Sequence, residues 1–371
     1  MKFEISRDNI LRILSHLQGI VDKKNTLPIL SNILIEAKNN VLTLSSTDMD
    51  ISIVENINCN VIEDGATTTN SQILYDVVRK LDSESNVEII CNDGKILTLR
   101  ASGSRFSLAS LPKEEYPIID QQSEGIKLRI NSQTLAKLID KTKFAISNEE
   151  TRYFLNGLYF NINRENELNV VTLVGTDGHR LAKFSYNLET DIDEISGVII
   201  PKKTIYELSK LLSEIDDNVE ILISSNKVIF FIGNIVFISK LIDGSFPDYK
   251  RVIPQNNNNI LKINREILLS AVDRVSTIAN DKSPVIKFKL LKNILNLNTV
   301  NNESSTASED LKINYDGDEI EIGFNSKYIM DIVNNLEDED ISIKLKDNTS
   351  PIIALENSNT NLVYVLMPMR V

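Results

Sequence analysis

Only two imidazoles, His16 and His179, and two thiols, Cys59 and Cys91, occur in 371 residues, so the chain has little with which to build a catalytic centre. Asp177 and His179 stand two positions apart, a spacing that allows an acid–base pair. No nucleophile accompanies them. The chain has no G-x-S-x-G elbow, no phosphate-cradling P-loop and no G-x-G-x-x-G. Cys59 and Cys91 lie 32 residues apart in strand-like surroundings and form no C-x-x-C pair. They read as reduced cysteines acting as small hydrophobes rather than as a zinc or redox motif. Nothing in these types or spacings calls for a metal or a cofactor.

The elements that would position such residues come from a long, mixed chain. At 371 residues it exceeds one ordinary core and points to two or three domains. With 42% hydrophobic and 25% charged residues it has the composition of a soluble globular protein. No apolar run reaches the length of a membrane span. The opening Met1-Lys2-Phe3-Glu4-Ile5 lacks the apolar stretch and cleavage site of a signal peptide, so the expected location is the cytoplasm. The net charge of −12 argues against a nucleic-acid binder unless the charges are segregated.

One unit occurs three times. Ile5-Ser6-Arg7, Ile130-Asn131-Ser132 and Ile263-Asn264-Arg265 each offer an N-cap residue followed by apolar residues at helical spacing. The stripes are Ile10, Ile13, Leu14, Leu17 and Val21; then Leu135, Leu138, Ile139 and Ile146; then Ile267, Ala271, Val275 and Ile278. A second helix starts near Asn70, Pro201 and Asn325. Its stripes are Ile73, Val77 and Leu81; Ile205, Leu208 and Leu212; and Ile329, Val333 and Leu336. Around the helices the period falls to two, the strand signature. Each copy shows a hairpin between its helices and three strands after the second, ending in 104–108, 235–239 and 362–366. Copies 125 and 133 residues apart are too long for solenoid repeats, so each is a domain: 1–125, 126–255 and 256–371. The fold class is α+β, three repeated domains with two helices and antiparallel sheets each.

The charge is segregated. The six predicted helices, 6–21, 131–146, 264–279, 70–81, 201–212 and 325–336, carry +6, which leaves −18 on the remainder of a chain whose net is −12. Lys and Arg are good helix formers and Asp favours turns, so part of this is expected in any protein. Were the helices all to face one axis, a weakly positive bore would sit inside an acidic shell. Such a bore attracts phosphates without reading bases.

Several motifs then match one family in order and in the corresponding repeats. They are Thr26-Leu27-Pro28-Ile29-Leu30, Arg152-Tyr153-Phe154-Leu155-Asn156-Gly157 and Thr176-Asp177-Gly178-His179-Arg180-Leu181-Ala182. Phe246-Pro247-Asp248-Tyr249-Lys250-Arg251-Val252 and the terminal Met367-Pro368-Met369-Arg370 complete the set. Over essentially its whole length the chain resembles the bacterial DNA polymerase III beta subunit, the sliding clamp. The resemblance implies inner helices, outer sheets, and two chains joined head to tail in a six-domain ring around double-stranded DNA. The implied partners are the polymerase III alpha subunit, the clamp loader and other clamp-motif-bearing replication and repair proteins. The alternatives are a repeat protein with a purely structural role or a DNA binder that does not encircle.

The same resemblance implies a peptide pocket of Leu155, Thr176, Gly178, His179, Arg180, Leu181, Pro247, Arg251, Val252, Val365, Met367, Pro368, Met369 and Arg370. Apolar and Met side chains suit an adaptable socket, and Arg180, Arg251 and Arg370 could fix a peptide's polar groups. Pro351 and Thr349 fall near its third-repeat wall. The implied DNA-facing residues are Lys24, Arg79, Lys137, Lys141, Tyr153, Phe154, Lys202, Lys203, Arg274, Lys282 and Lys327. Here the sequence departs from the family pattern. Lys24 stands where an arginine is expected, Glu149 where a neutral amide is common, and Gln72 where a basic residue is typical. Phe106 and Leu108 are implied on one side of the dimer interface, Thr277 and Ile278 on the other.

Overall fold

The computed structural model describes residues 1–21, 27–188, 192, 194–279, 284–300 and 305–370. The first repeat runs β1 (Lys2–Ser6), α1 (Arg7–Gln18), β2 (Asn32–Lys38), β3 (Val41–Thr47), β4 (Ile51–Asn58), β5 (Asn60–Glu63), β6 (Gly65–Asn70), α2 (Ser71–Arg79), β7 (Asn86–Cys91), β8 (Ile96–Ala101) and β9 (Ser104–Leu111). The second gives β10 (Ile126–Asn131), α3 (Ser132–Lys143), β11 (Gly157–Glu165), β12 (Leu168–Thr176), β13 (Arg180–Leu188), β14 (Ile195–Pro201), α4 (Lys202–Ser213), β15 (Asn218–Ile223), β16 (Lys227–Ile232) and β17 (Ile235–Lys240). The third follows the same order with β18 (Asn259–Asn264), α5 (Arg265–Ser276), β19 (Val285–Leu291), β20 (Ile294–Val300), β21 (Thr306–Lys312), β22 (Ile320–Asn325), α6 (Ser326–Asn335), β23 (Asp340–Leu345), β24 (Ile352–Glu356) and β25 (Leu362–Leu366).

The helices form where the caps and stripes put them. Ser6 accepts from the Asn9 amide, Asn131 from those of Gln133 and Thr134, Asn70 from that of Ile73, and Asn264 from those of Glu266 and Ile267. Each bond satisfies an orphan donor of the first turn. The helices end two or three residues early in several cases because the last turn tightens, as in Ile20 to Leu17 and Ala145 to Thr142. Two stripes differ from the expectation: none of Ile73, Val77 and Leu81, the first repeat's second stripe, is buried, and the third repeat's first stripe is only partly core. Ile10, Ile13, Leu14 and Leu17 are buried in α1, but in α2 the buried residues are Leu74 and Val78, while Ile73 is exposed. In α5, Ala271 and Val275 are buried and Ile267 is exposed.

Sequence alternation marks five strands per repeat, and the structure adds the strand before each helix, the third strand of each meander and β5. Strands β1, β6, β10, β18 and β22 end in the residue that caps the next helix and so carry a polar end, whereas β14 ends in Pro201. Strand β4 hides its alternation because both its faces are largely covered.

The chain folds into two compact units, and the middle repeat is divided between them. One unit holds 1–136 and 203–241; the other holds 137–202 and 242–371. Within the first unit a 13-stranded sheet runs from β10 through β17 to β4 and on to β5, with β17 antiparallel to β4. In the second, an eight-stranded sheet joins β13 to β25 antiparallel, and a four-stranded sheet has the order β21-β20-β19-β22. Helices α1 and α2 pack together in the first unit and α5 and α6 in the second. No helix of the described residues is long and apolar enough to cross a membrane.

Candidate binding site

The β12–β13 turn, Asp177-Gly178-His179, is built by side-chain caps. Asp177 Oδ1 accepts from the amides of His179 (2.9 Å) and Arg180 (3.0 Å), an Asx turn. Thr176 Oγ1 donates to the Arg180 carbonyl (2.7 Å) and accepts from the Gly178 amide (3.1 Å). Gly178 has φ +86°, a conformation that glycine adopts freely, and a Cβ there would sit 2.5 Å from Arg152 Nη1, so a side chain would have to push that guanidinium aside. Asp177 Oδ2 accepts from Arg180 Nε at 3.1 Å. The carboxylate whose spacing allows an acid–base pair with His179 thus spends its acceptors on the turn and on Arg180. His179 is exposed and stacks on Tyr328 with centroids 6.4 Å apart.

Arg180 is only 10% exposed along its side chain. Beyond Asp177 it donates to the Phe144 carbonyl (2.8 Å) and to Asp331, and its guanidinium lies over the Tyr328 ring at 4.4 Å. Burial raises the Tyr328 phenol above its ordinary pKa, with the Asp177 carboxylate adding to the effect. Arg180 is therefore a strut between the turn and α6 rather than a free hand for a ligand.

Beside this turn lies an apolar cleft of about 310 Å³. Its walls include Leu155, Thr176, Gly178, Arg180, Leu181, Pro247, Val252, Val365 and Met367, nine of the pocket residues expected from the sequence. Arg152, Phe154 and Tyr249 complete it. The floor is a cluster of Val174, Leu181, Tyr249 and Val365; Tyr159 and Phe246 pack against it and stack on each other with centroids 4.8 Å apart. Burial raises the Tyr249 and Tyr159 phenols above their ordinary pKa. The C-terminal segment is tied down: Met367 donates to the His179 carbonyl (2.9 Å) and Met369 to that of Gly323 (2.8 Å).

The other expected pocket residues fall outside the walls. Arg251 is 86% exposed along its side chain and pairs with Asp248 at 2.8 Å. His179, Pro368, Met369 and Arg370 do not line the cleft, and neither do Thr349 and Pro351. Phe154, expected to face DNA, is a wall of the cleft, while Tyr153 packs edge-on against it and stays 54% exposed. Tyr249 lies inside a motif whose arginine and proline carry the sequence signal; its burial under the cleft is a tertiary fact.

The expected DNA-facing cations divide into those the fold itself uses and those paired at the surface. Lys141 is buried. Its Nζ donates to the Asn335 carbonyl (2.6 Å) at the end of α6 and pairs with Glu337 (2.8 Å). Satisfying an orphan helix carbonyl takes it out of any bore, which corrects that expectation. Lys203 donates to the Ile20 carbonyl (2.8 Å) and to Asp48 (2.5 Å), so it too serves the fold. Lys202 donates to Asn148 Oδ1, and burial together with the adjacent Arg180 lowers its pKa below the ordinary lysine range. Arg79 is 55% exposed and pairs within its helix with Asp76; Lys137 is half-exposed and pairs with Glu337; Arg274 is 59% exposed and pairs with Glu309. Lys327 lies in the first turn of α6. Lys24 and Lys282 lie outside the described residues. At the expected interface, Phe106 and Leu108 are half-buried on β9, Thr277 is exposed and Ile278 half-buried after α5.

Three family models cover this chain in succession. They are those of the DNA polymerase III beta subunit's N-terminal domain at 1–120, its central domain at 129–248 and its C-terminal domain at 250–370. The chain belongs to the DNA polymerase III beta subunit family. Among clamps of this family, the beta sliding clamp of Caulobacter vibrioides is 38% identical and that of Escherichia coli 33%, each over the full length of both chains. The sliding clamp of Bartonella birtlesii, solved bound to griselimycin, superposes with a TM-score of 0.96 at 39% identity over all of both chains. That of Pseudomonas aeruginosa, also bound to griselimycin, gives 0.95 at 32% over all of both chains. The fold is the DNA clamp fold, and the chain is a processivity clamp of DNA polymerase III.

Proposed function

We propose that two copies of this chain close head to tail into a six-domain ring, with 1–125, 126–255 and 256–371 as the domains of each half. The ring encircles duplex DNA and tethers the polymerase III alpha subunit; it works in the cytoplasm and performs no chemistry itself. The observation that carries this reading is the match of all three family models, in order, along the whole chain. The strand edges support the dimer. Among the described residues, 104–109 of β9 pair with β8 on one side only, and β21 ends the four-stranded sheet. Open edges of this kind are where a second chain adds. Phe106 and Leu108 on β9 would meet the partner's surface around Thr277 and Ile278.

Tethering needs binding that resists escape yet allows sliding. A closed ring supplies the first by topology, and diffuse Lys/Arg–phosphate contacts permit the second. The exposed Arg79, Lys137 and Arg274 suit such contacts because their present partners are surface acids that a phosphate can replace. The apolar cleft at the β12–β13 turn would take the short segment by which the polymerase, the clamp loader and other clamp-motif-bearing replication and repair proteins attach. Deleting Met367–Val371 removes one wall and tests this. Binding of the polymerase alpha subunit, followed by surface plasmon resonance, should be lost while the dimer mass is kept. Unchanged affinity would refute the pocket assignment.

A further inference from the structure

The first repeat contains the same turn. Thr47-Asp48-Met49-Asp50 joins β3 to β4 as Thr176-Asp177-Gly178-His179 joins β12 to β13. Thr47 Oγ1 donates to the Ile51 carbonyl (2.9 Å) and accepts from the Met49 amide (3.0 Å). Asp48 Oδ1 accepts from the amides of Asp50 (3.0 Å) and Ile51 (2.8 Å). Each of these bonds has its counterpart, within 0.2 Å, in the cleft's turn. The next strand docks alike: β17 pairs Ser239 with Ile51 as β25 pairs Leu366 with Arg180. Lys240 donates to the Asp50 carbonyl (2.8 Å) as Met367 donates to that of His179 (2.9 Å). Pro117 of a Tyr116-Pro117 step lines this turn's groove as Pro247 of Phe246-Pro247 lines the cleft, and the groove holds about 630 Å³.

What differs is the lining. Met49 stands at the place of Gly178, Ser52 at that of Leu181, and Lys240 at that of Met367. Met49 keeps φ at +80°, a conformation that glycine adopts freely and side-chain-bearing residues rarely do. Its side chain is 51% exposed, so packing does not account for it. Ser52 Oγ donates to Thr47 Oγ1 (2.7 Å), and Lys240 holds its ammonium in the mouth, paired with Asp50 at 3.1 Å. Ile118, Ile119 and Ile238 still line the first groove, but a hydroxyl stands where the cleft's floor has a leucine, and an ammonium stands at the mouth.

We infer that the socket scaffold is duplicated in this chain and that Met49, Ser52 and Lys240 confine apolar-peptide docking to the second-repeat copy, giving one peptide per chain. This rests on the peptide reading of the cleft. An apolar anchor entering the first groove would meet a thioether where the turn is otherwise bare. It would also have to strip water from the exposed Lys240–Asp50 pair and cover the Ser52 hydroxyl, a desolvation that an apolar group does not offset. These three residues therefore act as specificity determinants by exclusion.

The test is the stoichiometry of a synthetic peptide copying the clamp-binding segment of the polymerase alpha subunit, measured by isothermal titration calorimetry on full-length protein. The wild type should take one peptide per chain, and the triple variant Met49→Gly, Ser52→Leu, Lys240→Met should take two. Met49→Gly relieves a constrained backbone, so it should fold; circular dichroism on it alone and on the triple variant establishes that. One peptide per chain on a folded triple variant would overturn the inference, as would two on the wild type. No binding to either protein would remove the peptide reading of the cleft, and this inference with it.

Discussion

His16 offers a quantitative test of how the first unit is held together. Its ring is buried, with 6% of the side chain exposed. Nδ1 lies 2.7 Å from Glu55 Oε2 and Nε2 lies 3.0 Å from Glu214 Oε2. A neutral imidazole presents one lone pair, which would face a carboxylate oxygen, so this geometry calls for the doubly protonated ring. Burial opposes the charge, but the hydrogen bonds and fields of Glu55 and then Glu214 outweigh it and raise the pKa above the ordinary histidine value. A raised folded pKa means that the stabilisation is complete below about 6.5, the unfolded value, and is lost as pH climbs through the folded one. Each tenfold gain in proton affinity on folding contributes about 1.4 kcal/mol. Replacing the ring leaves Glu55, whose side chain is fully buried, with Arg12 (3.4 Å) and Asn234 (3.4 Å) as its remaining side-chain partners among the described residues. His16→Ala should therefore cost about 3 kcal/mol, the low end for unpairing a buried charge. The assay is urea unfolding of both proteins from pH 5.5 to 8.5, with NMR titration of the imidazole protons. Only two histidines exist, and His179→Asn assigns them. The destabilisation should shrink as pH rises. A His16 signal titrating below about 6.5, or a cost under about 1 kcal/mol at pH 6, far short of a broken buried pair, would refute the charged-ring account.

Three other outcomes follow from the same geometry. Lys203→Glu sets a carboxylate against Asp48 and the Ile20 carbonyl at a partly exposed site, so it should lower stability by about 1 kcal/mol, whereas Lys202→Glu should affect DNA retention mainly; equal unfolding midpoints would contradict this. Gly178→Val forces a β-branched residue into a left-handed conformation beside Arg152, which costs about 1–2 kcal/mol. Its affinity for the polymerase alpha peptide should fall at least tenfold, or the turn does not shape the cleft. Phe106→Asp puts a charge on the open β9 edge and should convert a dimer into a monomer by light scattering; an undisturbed dimer would move the interface elsewhere.

Much of this architecture was legible because helices announce themselves twice, by cap and by stripe. Ser6, Asn131 and Asn264 mark three starts, and buried Leu208 and Val333 sit where the period predicts. The strands before each helix were not legible, because β6 and β22 bury three residues in a row and hand their last residue to a cap, which blurs the alternation. Nor could periodicity show that β17 continues into β4 and β25 into β13, pairings between residues far apart in sequence. At the site, the apolar walls followed from motif residues such as Leu181 and Val365, whereas single charges did not. Lys141 and Lys203 count as positive in any sum over helices, yet backbone carbonyls and acids consume their donors. Arg180 likewise reads as a ligand-binding cation and folds as a strut.

The central claim is topological, and retention on DNA measures it directly. The protein is loaded by its clamp loader onto nicked circular DNA and onto the same DNA cut once, then passed through a sizing column in moderate salt. A ring that encloses the duplex and slides should stay with the circle and be lost from the linear molecule. Equal retention on both, or equal loss that falls steadily with salt, would mean that the protein grips the surface of DNA instead of surrounding it.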